Sequence, residues 1–178
     1  LNWARLPLLV LGTSDIRHNF HVVAFCLTSH EDHLAYEFLF RAVFESVIAR
    51  SLNQLPNGLS DSDAAIRLAA SKVFGQEITW GNCYSHVVRN LTLKKRKRFI
   101  EATNISIFKR DLSVLHAITQ RQIFHTALNL FQTKWELREP DIATNFKTEY
   151  GEGWKANFFQ GAYGVPGLPL SNNGLEGT

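Results

Sequence analysis

Two carboxylates are of the residue type that metal-dependent chemistry on a phosphodiester needs. Asp61 follows a short strand-like pattern at Gly58–Ser60, and Glu176 lies near the end of the sequence in Asn-Asn-Gly-Leu-Glu. Mg²⁺ and Mn²⁺ prefer oxygen ligands, and two such ions activate the attacking oxygen and stabilise the leaving oxygen of a scissile phosphate. The residues alone leave a simpler alternative open, in which Asp61 caps a helix and Glu176 is a surface acid.

Cys83 and His86 have the spacing of half a zinc site. No second pair lies nearby in the sequence, because His116 and His125 come much later and no cysteine follows Cys83. We therefore do not expect zinc. The simplest alternative for this pair is a buried cysteine beside a hydrogen-bonded histidine.

The elements that must position these residues follow from apolar periodicity. Leu6–Thr13 and Phe20–Thr28 predict the two strands of a β-hairpin, both of them inner strands, joined by a polar turn that contains Asp15. Ser29 is predicted to cap an aromatic-rich amphipathic helix that reaches about Leu52.

The next stretch predicts an alternation of strand, helix, strand and helix. The bounds are Gly58–Ser60, residues 63–74, Glu77–Trp80 and Tyr84 to about Lys97. The first strand delivers Asp61 at its carboxyl end, while Asp63 is expected to cap the helix that Gly75 ends. Periodicity by itself indicates only an α/β alternation.

The second half of the chain is predicted to be helical from Phe99 to about Lys147, with Pro140 as a break. Tyr150–Leu170 is rich in Gly, Pro and aromatic residues and predicts an ordered loop packed on its own rings. Four aromatic residues of this stretch could either pack in the protein or stack on an extruded base. They are Trp154, Phe158, Phe159 and Tyr163.

Four blocks of the chain, taken in order, resemble the Mutator-like (MULE) transposases of the RNase H-like DDE superfamily. These blocks are Leu6–Gly12 with Phe20–Ser29, Leu59–Ile66 with Val73–Gly75, Cys83–Asn90 and Asn172–Glu176. The third block has the family's Cys-aromatic-x-His-x-x-Arg-Asn pattern. The resemblance therefore runs nearly from end to end.

The resemblance implies a DNA transposase catalytic domain that cleaves element ends and joins the 3′ ends to target DNA. It assigns Asp61 and Glu176 as catalytic ligands of Mg²⁺ or Mn²⁺. It also places a set of residues near the active site, where they would orient a loop or contact DNA near the cleaved bond. That set is Cys83, His86, Arg89 and Asn90.

The resemblance further implies an α/β fold with an RNase H-like mixed sheet. We expect an incomplete core at 1–98 that lacks its first strand, an all-helical insertion at 99–150, and a loop with the start of the Glu-bearing helix at 151–178. In the family, the first catalytic Asp lies on the strand before Leu6–Gly12. We therefore expect an internal fragment, inactive by itself, of a nuclear and homo-oligomeric parent. Asp15, in the hairpin turn, is not expected to replace that Asp.

Charge distribution says more about partners than the net charge of +3 does. An uninterrupted basic run is a candidate for phosphate contacts, because each neutralised phosphate releases counterions. The run consists of Lys94, Lys95, Arg96, Lys97 and Arg98. A solvated helix face or a nuclear localisation signal remains an equal alternative.

Composition bounds the class of protein. The 178 residues are 45% hydrophobic and 20% charged, which suits one globular domain, and no apolar run approaches the ~20 residues needed to cross a bilayer. Two cysteines make no disulfide framework, so we expect a soluble intracellular protein. A domesticated DNA-binding or regulatory module without catalysis, or a decayed genomic copy, is the alternative to a transposase.

Overall fold

The computed structural model describes residues 6–15, 17, 19–48, 57–75, 78–94 and 98–162 of the chain. Within these ranges there are four strands: β1 Leu8–Ser14, β2 Phe20–Leu27, β3 Gly58–Ser60 and β4 Trp80–Asn82. The α-helices are α1 His33–Val43, α2 Ala64–Phe74, α3 Tyr84–Arg89, α4 Asn104–His116, α5 Arg121–Arg138 and α6 Pro140–Tyr150. None of the helices in these ranges combines the length and the apolar character needed to span a bilayer.

The predicted hairpin is confirmed, but within the described residues neither strand has the second neighbour of an inner strand. β1 and β2 pair antiparallel from Leu8 opposite Leu27 to Ser14 opposite Phe20, and within the described residues they form a sheet of two strands. Each strand is therefore an edge of that sheet. Leu27 and Phe25 are 63% and 65% exposed, so the apolar pattern that suggested inner strands faces solvent on one side of this sheet.

The turn of the hairpin is organised by Asp15. Its Oδ1 accepts from the backbone N–H groups of Arg17 and Asn19, at 2.8 and 2.9 Å. Its Oδ2 accepts from the Asn19 side chain at 3.0 Å and lies 3.2 Å from Nε2 of His21. These hydrogen bonds, led by that of the Asn19 side chain, lower the pKa of Asp15 to about 2. Asp15 is thus a turn residue.

The N-cap of helix α1 lies three residues later than the cap predicted at Ser29. Oδ1 of Asp32 accepts from the N–H groups of Leu34 and Ala35, both at 3.0 Å, so Asp32 is the N-cap. A carboxylate at this position also opposes the positive end of the helix dipole, which a serine hydroxyl does less well. After Val43 the chain continues as a π-helical turn at Phe44–Ile48.

The strand-helix-strand segment around Asp61 agrees with the sequence in order but not in every bound. Helix α2 is capped by Asp63 and ends at Gly75, which has a φ of +82°, and both features are confirmed. Strand β4 runs from Trp80 to Asn82, later than predicted, and the Cys83 N–H that follows it still bonds to the Ser60 carbonyl of β3. Helix α3 ends at Arg89 and continues as a π-helical turn at Asn90–Lys94.

The described residues divide into two compact units. The first contains the hairpin, α1 and α2, and its core joins Leu39, Phe40 and Val43 of α1 to Phe74 of α2. The Phe40 and Phe74 ring centroids are 5.4 Å apart. Lys72 of α2 also reaches Glu37 of α1 at 3.3 Å. This unit therefore holds together through apolar contacts between two helices.

The second unit contains Asp61, β4 and the described residues from Trp80 to Ala162. Its core is an aromatic cluster in which Phe108 and Trp135 lie 4.9 Å apart and Phe131 and Phe146 lie 4.8 Å apart. The helical character predicted for 99–147 is confirmed, and Pro140 occupies the first turn of α6, where it needs no N–H partner.

The aromatic residues after α6 do not pack only on one another. Phe158 and Phe159 are fully buried in the helical cluster, and the Phe159 ring stacks on Phe124 of α5 at 3.9 Å. A fully buried ring has no face to offer a base, so packing is the role of these two residues. Trp154 is half-buried in a 3₁₀ turn at Gly153–Ala156, and Tyr163 lies outside the described residues.

The fold is mixed α/β, as predicted. Among the described residues the strands form two separate two-stranded sheets, β1 with β2 and β3 with β4. The finer assignment to an RNase H-like mixed sheet stays a prediction, and so do the domain bounds at 98 and 150.

Candidate functional site

Asp61 lies at the carboxyl end of a pair of parallel strands. The Gly58 N–H donates to the Thr79 carbonyl at 3.0 Å, and the Cys83 N–H donates to the Ser60 carbonyl at 2.7 Å. The residue numbers of both partners rise together, which is the register of parallel strands. Asp61 follows β3 directly and is half-buried. The predicted delivery of Asp61 at a strand end is therefore confirmed.

Asp63 has a different role, although it lies only two residues further on. Its Oδ1 accepts from the Ala65 N–H at 2.6 Å, as expected of the N-cap of α2. An acceptor engaged in this way is used to satisfy a helix terminus. The structure thus assigns capping to Asp63 and leaves Asp61 as the candidate ligand of the two.

The Cys83 block begins where β4 ends. Cys83 is fully buried and its backbone N–H bonds to Ser60, one residue before Asp61. This hydrogen bond brings the two sequence blocks that carry Asp61 and Cys83 together at one edge. His86 follows one turn along α3 and is half-buried.

The other two residues of that block differ in exposure. Arg89, at the end of α3, is exposed. Asn90 begins the π-helical turn, and its Nδ2 donates to the Tyr150 hydroxyl at 3.1 Å. Asn90 therefore connects this block to α6, whereas Arg89 faces solvent.

A stacked pair of rings connects the Cys83 block to helix α4. Tyr84 and His116 lie with centroids 3.9 Å apart and planes 8° from parallel. Nδ1 of His116 donates to the Phe158 carbonyl at 2.6 Å. Burial lowers the pKa of His116, and that hydrogen bond only partly opposes the shift. Burial likewise raises the pKa of Tyr84, so both rings are neutral near pH 7.

Asn82 is a residue that the sequence did not point to. It is fully buried at the end of β4, and its Oδ1 accepts from the Ser62 hydroxyl at 2.9 Å. Its Nδ2 donates to the Lys155 carbonyl at 3.0 Å, and its backbone N–H donates to the Asn157 carbonyl at 2.9 Å. The only sequence signal is an asparagine within an otherwise apolar strand, since the partners lie 20 and 73 positions away.

The other side of the Asp61 loop is held by Trp80. Its indole Nε1 donates to Oγ of Ser60 at 2.8 Å, and that hydroxyl donates in turn to the Asp61 carbonyl at 2.8 Å. The Asn157 side chain donates to the Trp80 carbonyl at 3.1 Å. Hydrogen bonds from β4 therefore hold the residues on both sides of Asp61.

A second carboxylate, Glu139, was not among the candidates and is the most enclosed acid of the described residues. It lies between α5 and α6 and is fully buried. Its two oxygens accept from the Ile100 N–H at 2.7 Å, the Glu101 N–H at 3.1 Å and the Asn104 side chain at 2.7 Å. Burial raises the pKa of Glu139, but these three hydrogen bonds together outweigh it and lower the pKa. Glu139 is thus a buried cap for the turn before α4.

Several of the predicted site residues cannot be compared with the structure. Glu176 and the basic residues 95–97 lie outside the described residues. Lys94 ends the π-helical turn, and Arg98 is exposed. Across the described part of the chain, no group of three or more His, Cys, Asp or Glu side chains is arranged to hold a metal ion. Of the two predicted metal ligands, Asp61 and Glu176, the structure describes Asp61.

Comparison with known proteins gives no family for this chain. No protein-family model matches it, and neither does any curated protein.

Proposed function

We propose that this chain belongs to the catalytic region of a Mutator-like DNA transposase, in which Asp61 is a metal-binding carboxylate. The observation that carries the proposal is the hydrogen bond between Cys83 and Ser60. It joins two blocks that resemble the transposase family, and it does so at the carboxyl ends of parallel strands. Ligands commonly bind at such strand ends in α/β proteins.

The chemistry of the donor fits the proposed metal. A carboxylate oxygen suits Mg²⁺ or Mn²⁺, and half-burial leaves Asp61 within reach of a ligand. When bound, such ions would activate the attacking oxygen and stabilise the leaving oxygen of a phosphodiester. Asp61 would hold the ion together with Glu176, and the hydrogen bonds to Ser60 and Ser62 would keep its backbone in place. The remaining ligand is expected from the family's first Asp.

DNA is the proposed partner, at element ends and at the target, in a nuclear homo-oligomer. Arg89 and Arg98 are exposed cations within the described residues, and four further basic residues, Lys94 to Lys97, lie between them in the sequence. Phosphate contacts by such residues supply affinity without sequence preference. Sequence preference would have to come from other parts of the polypeptide.

Nicking of element-end DNA by the natural polypeptide that carries this chain tests the proposal. With Mg²⁺ or Mn²⁺, Asp61→Asn is expected to lower the nicking rate more than about 100-fold, as removal of a single charge-stabilising group commonly does. Asn keeps the shape of the side chain, so the stability should change little. Asp63→Asn is the matched control, because Asn also caps helices and this variant removes the same charge two residues away.

Full nicking by the Asp61→Asn protein rules out the assignment. If the wild-type protein binds DNA but no divalent cation supports nicking, the chain is a DNA-binding module without catalysis.

The salt dependence of DNA binding tests the partner separately. If all five residues of the run Lys94–Arg98 contact phosphate, they should contribute about −4 to −5 to the slope of log affinity against log salt, at roughly −0.9 per contact. Replacing the five by Gln should remove this part of the slope. An unchanged slope would mean that the run is a solvated face or a localisation signal.

A further inference from the structure

We propose that Asn82 is a positioning residue for Asp61, and that it makes the geometry of the Asp61 loop depend on the segment Gly153–Asn157. The inference rests on the proposed function, because positioning matters for activity only if Asp61 binds the catalytic metal. It adds a residue that the sequence blocks do not include and assigns a task to a segment far along the chain.

The loop is held on both sides of Asp61. Ser60 accepts from the Trp80 indole, and Ser62 donates to Oδ1 of Asn82 at 2.9 Å. Consecutive Cα atoms are about 3.8 Å apart, so fixing both neighbours leaves the backbone of Asp61 few conformations. The backbone position from which its side chain starts is then set by β4.

An amide side chain fits the two hydrogen bonds that Asn82 makes. The Ser62 hydroxyl donates and needs an acceptor, while the Lys155 carbonyl needs a donor. Asparagine offers both on one planar group, whereas aspartate lacks the donor and leucine lacks both. Because Asn82 is fully buried, water cannot replace either partner.

The segment Gly153–Asn157 is itself held firmly against β4. Asn157 accepts from the Asn82 N–H through its carbonyl and donates to the Trp80 carbonyl through its side chain, at 2.9 and 3.1 Å. Nζ of Lys155 also reaches Glu149 of α6 at 3.2 Å. A shift of this segment would therefore move Asn82, and through Ser62 it would change the setting of Asp61.

Hydrogen exchange in the 178-residue chain, without metal, directly tests whether the hydrogen bond between Ser62 and Asn82 holds the Asp61 loop. The Cys83 N–H, which bonds to the Ser60 carbonyl, reports opening of the loop. Ser62→Ala removes only the hydroxyl bond to Asn82 and should speed exchange of the Cys83 amide about three- to tenfold, the usual range for one hydrogen bond. Ser62→Thr keeps the hydroxyl and should restore the wild-type rate.

Ser113→Ala is the matched control, because that hydroxyl donates to the Arg110 carbonyl of its own helix at 2.7 Å. It should leave the exchange of the Cys83 amide unchanged. Asn82→Ala should give a larger acceleration than Ser62→Ala. If Asn82→Ala does not fold, the Ser62 pair still decides the question.

The Mg²⁺ dependence of nicking by the natural polypeptide tests the positioning role. Ser62→Ala should raise the Mg²⁺ concentration for half-maximal rate about three- to tenfold and change the rate at saturation less. If either the Cys83 exchange or the Mg²⁺ dependence matches wild type, the inference is overturned. Full nicking by Asp61→Asn would instead overturn the proposed function. The exchange result would still show whether Asn82 holds the Asp61 loop through Ser62.

Discussion

The strand edge that carries Asp61 and the helical region around Glu139 both place a carboxylate in a network of hydrogen bonds, but Glu139 is fully buried whereas Asp61 is half-buried. At Glu139, three donors bind the carboxylate oxygens themselves. At the strand edge, Trp80 and Cys83 donate hydrogen bonds to Ser60, and Asn82 accepts one from Ser62, so the residues on either side of Asp61 are held.

This difference separates a structural acid from a candidate functional one. A carboxylate that is fully buried and accepts three hydrogen bonds has little capacity left for a cation, and its charge stabilises the turn before α4. Asp61, in contrast, is half-buried, so its side chain stays partly exposed while hydrogen bonds to Ser60 and Ser62 hold the backbone on either side of it. The surroundings of an acid therefore indicate its role better than its residue type does.

The largest expected effect is the loss of stability in Glu139→Gln. The amide keeps one oxygen, so at least one of the three donors then faces an NH₂ group instead of an acceptor. A buried donor without a partner, together with a lost charged hydrogen bond, should lower the free energy of unfolding by about 3 kcal/mol. Urea denaturation of the 178-residue chain measures this loss.

Two variants calibrate that measurement. Glu149→Gln removes the same charge from a partly exposed pair with Lys155 and should cost less than about 1 kcal/mol. Asp61→Asn should be similarly mild. If Asp61→Asn were as costly as Glu139→Gln, the distinction between the two regions would fail.

The pH dependence of stability sharpens the comparison further. The pKa of Glu139 in the folded protein lies below its ordinary value of 4.5, so the folded state favours the charged form. Its contribution is fully present above about pH 4.5 and is lost as the pH falls through the lowered pKa. The stability difference between wild type and Glu139→Gln should therefore shrink below pH 4.5. A difference that stays constant down to pH 3 would contradict the assignment.

The smallest expected effect concerns the hairpin turn. The hydrogen bonds from Asn19 and its neighbours set the pKa of Asp15 at about 2, so an NMR titration should find its midpoint there. Asn19→Ala should raise that midpoint towards 3.8, because it removes the leading cause. The turn gains stability above pH 3.8 and loses it as the pH falls through about 2. A midpoint near 3.8 in the wild type would show that Asp15 is not held in this way.

Local sequence signals predicted much of the secondary structure on either side of Asp61. The Asp63 cap, the Gly75 stop and the strand before Asp61 each depend on residues within a few positions, and all three are as expected. The cap of α1 was misassigned because Ser29 and Asp32 both precede the helix and only the geometry of Asp32 reaches its first N–H groups.

Long-range partners explain what the sequence did not reveal. Asn82 joins residues 20 and 73 positions away, and the donors to Glu139 lie 35 to 39 positions before it. No periodicity encodes such pairs. The exposure of Phe25 and Leu27 was missed for a related reason, since a nearly continuous apolar strand has the same sequence whether or not another layer covers both faces of its sheet.

The bond between Asn82 and Lys155 has a consequence for the order of folding. β3 and β4 are each three residues long and parallel, so they cannot form as a local hairpin and must wait for the crossover between them. The Asn82 amide gains its last partners only when Lys155 and Asn157 arrive. During synthesis, the ribosome must therefore make the chain as far as Asn157 before the Asp61 loop has all these hydrogen bonds. The hairpin of β1 and β2 can form much earlier, because its paired residues are close in the sequence.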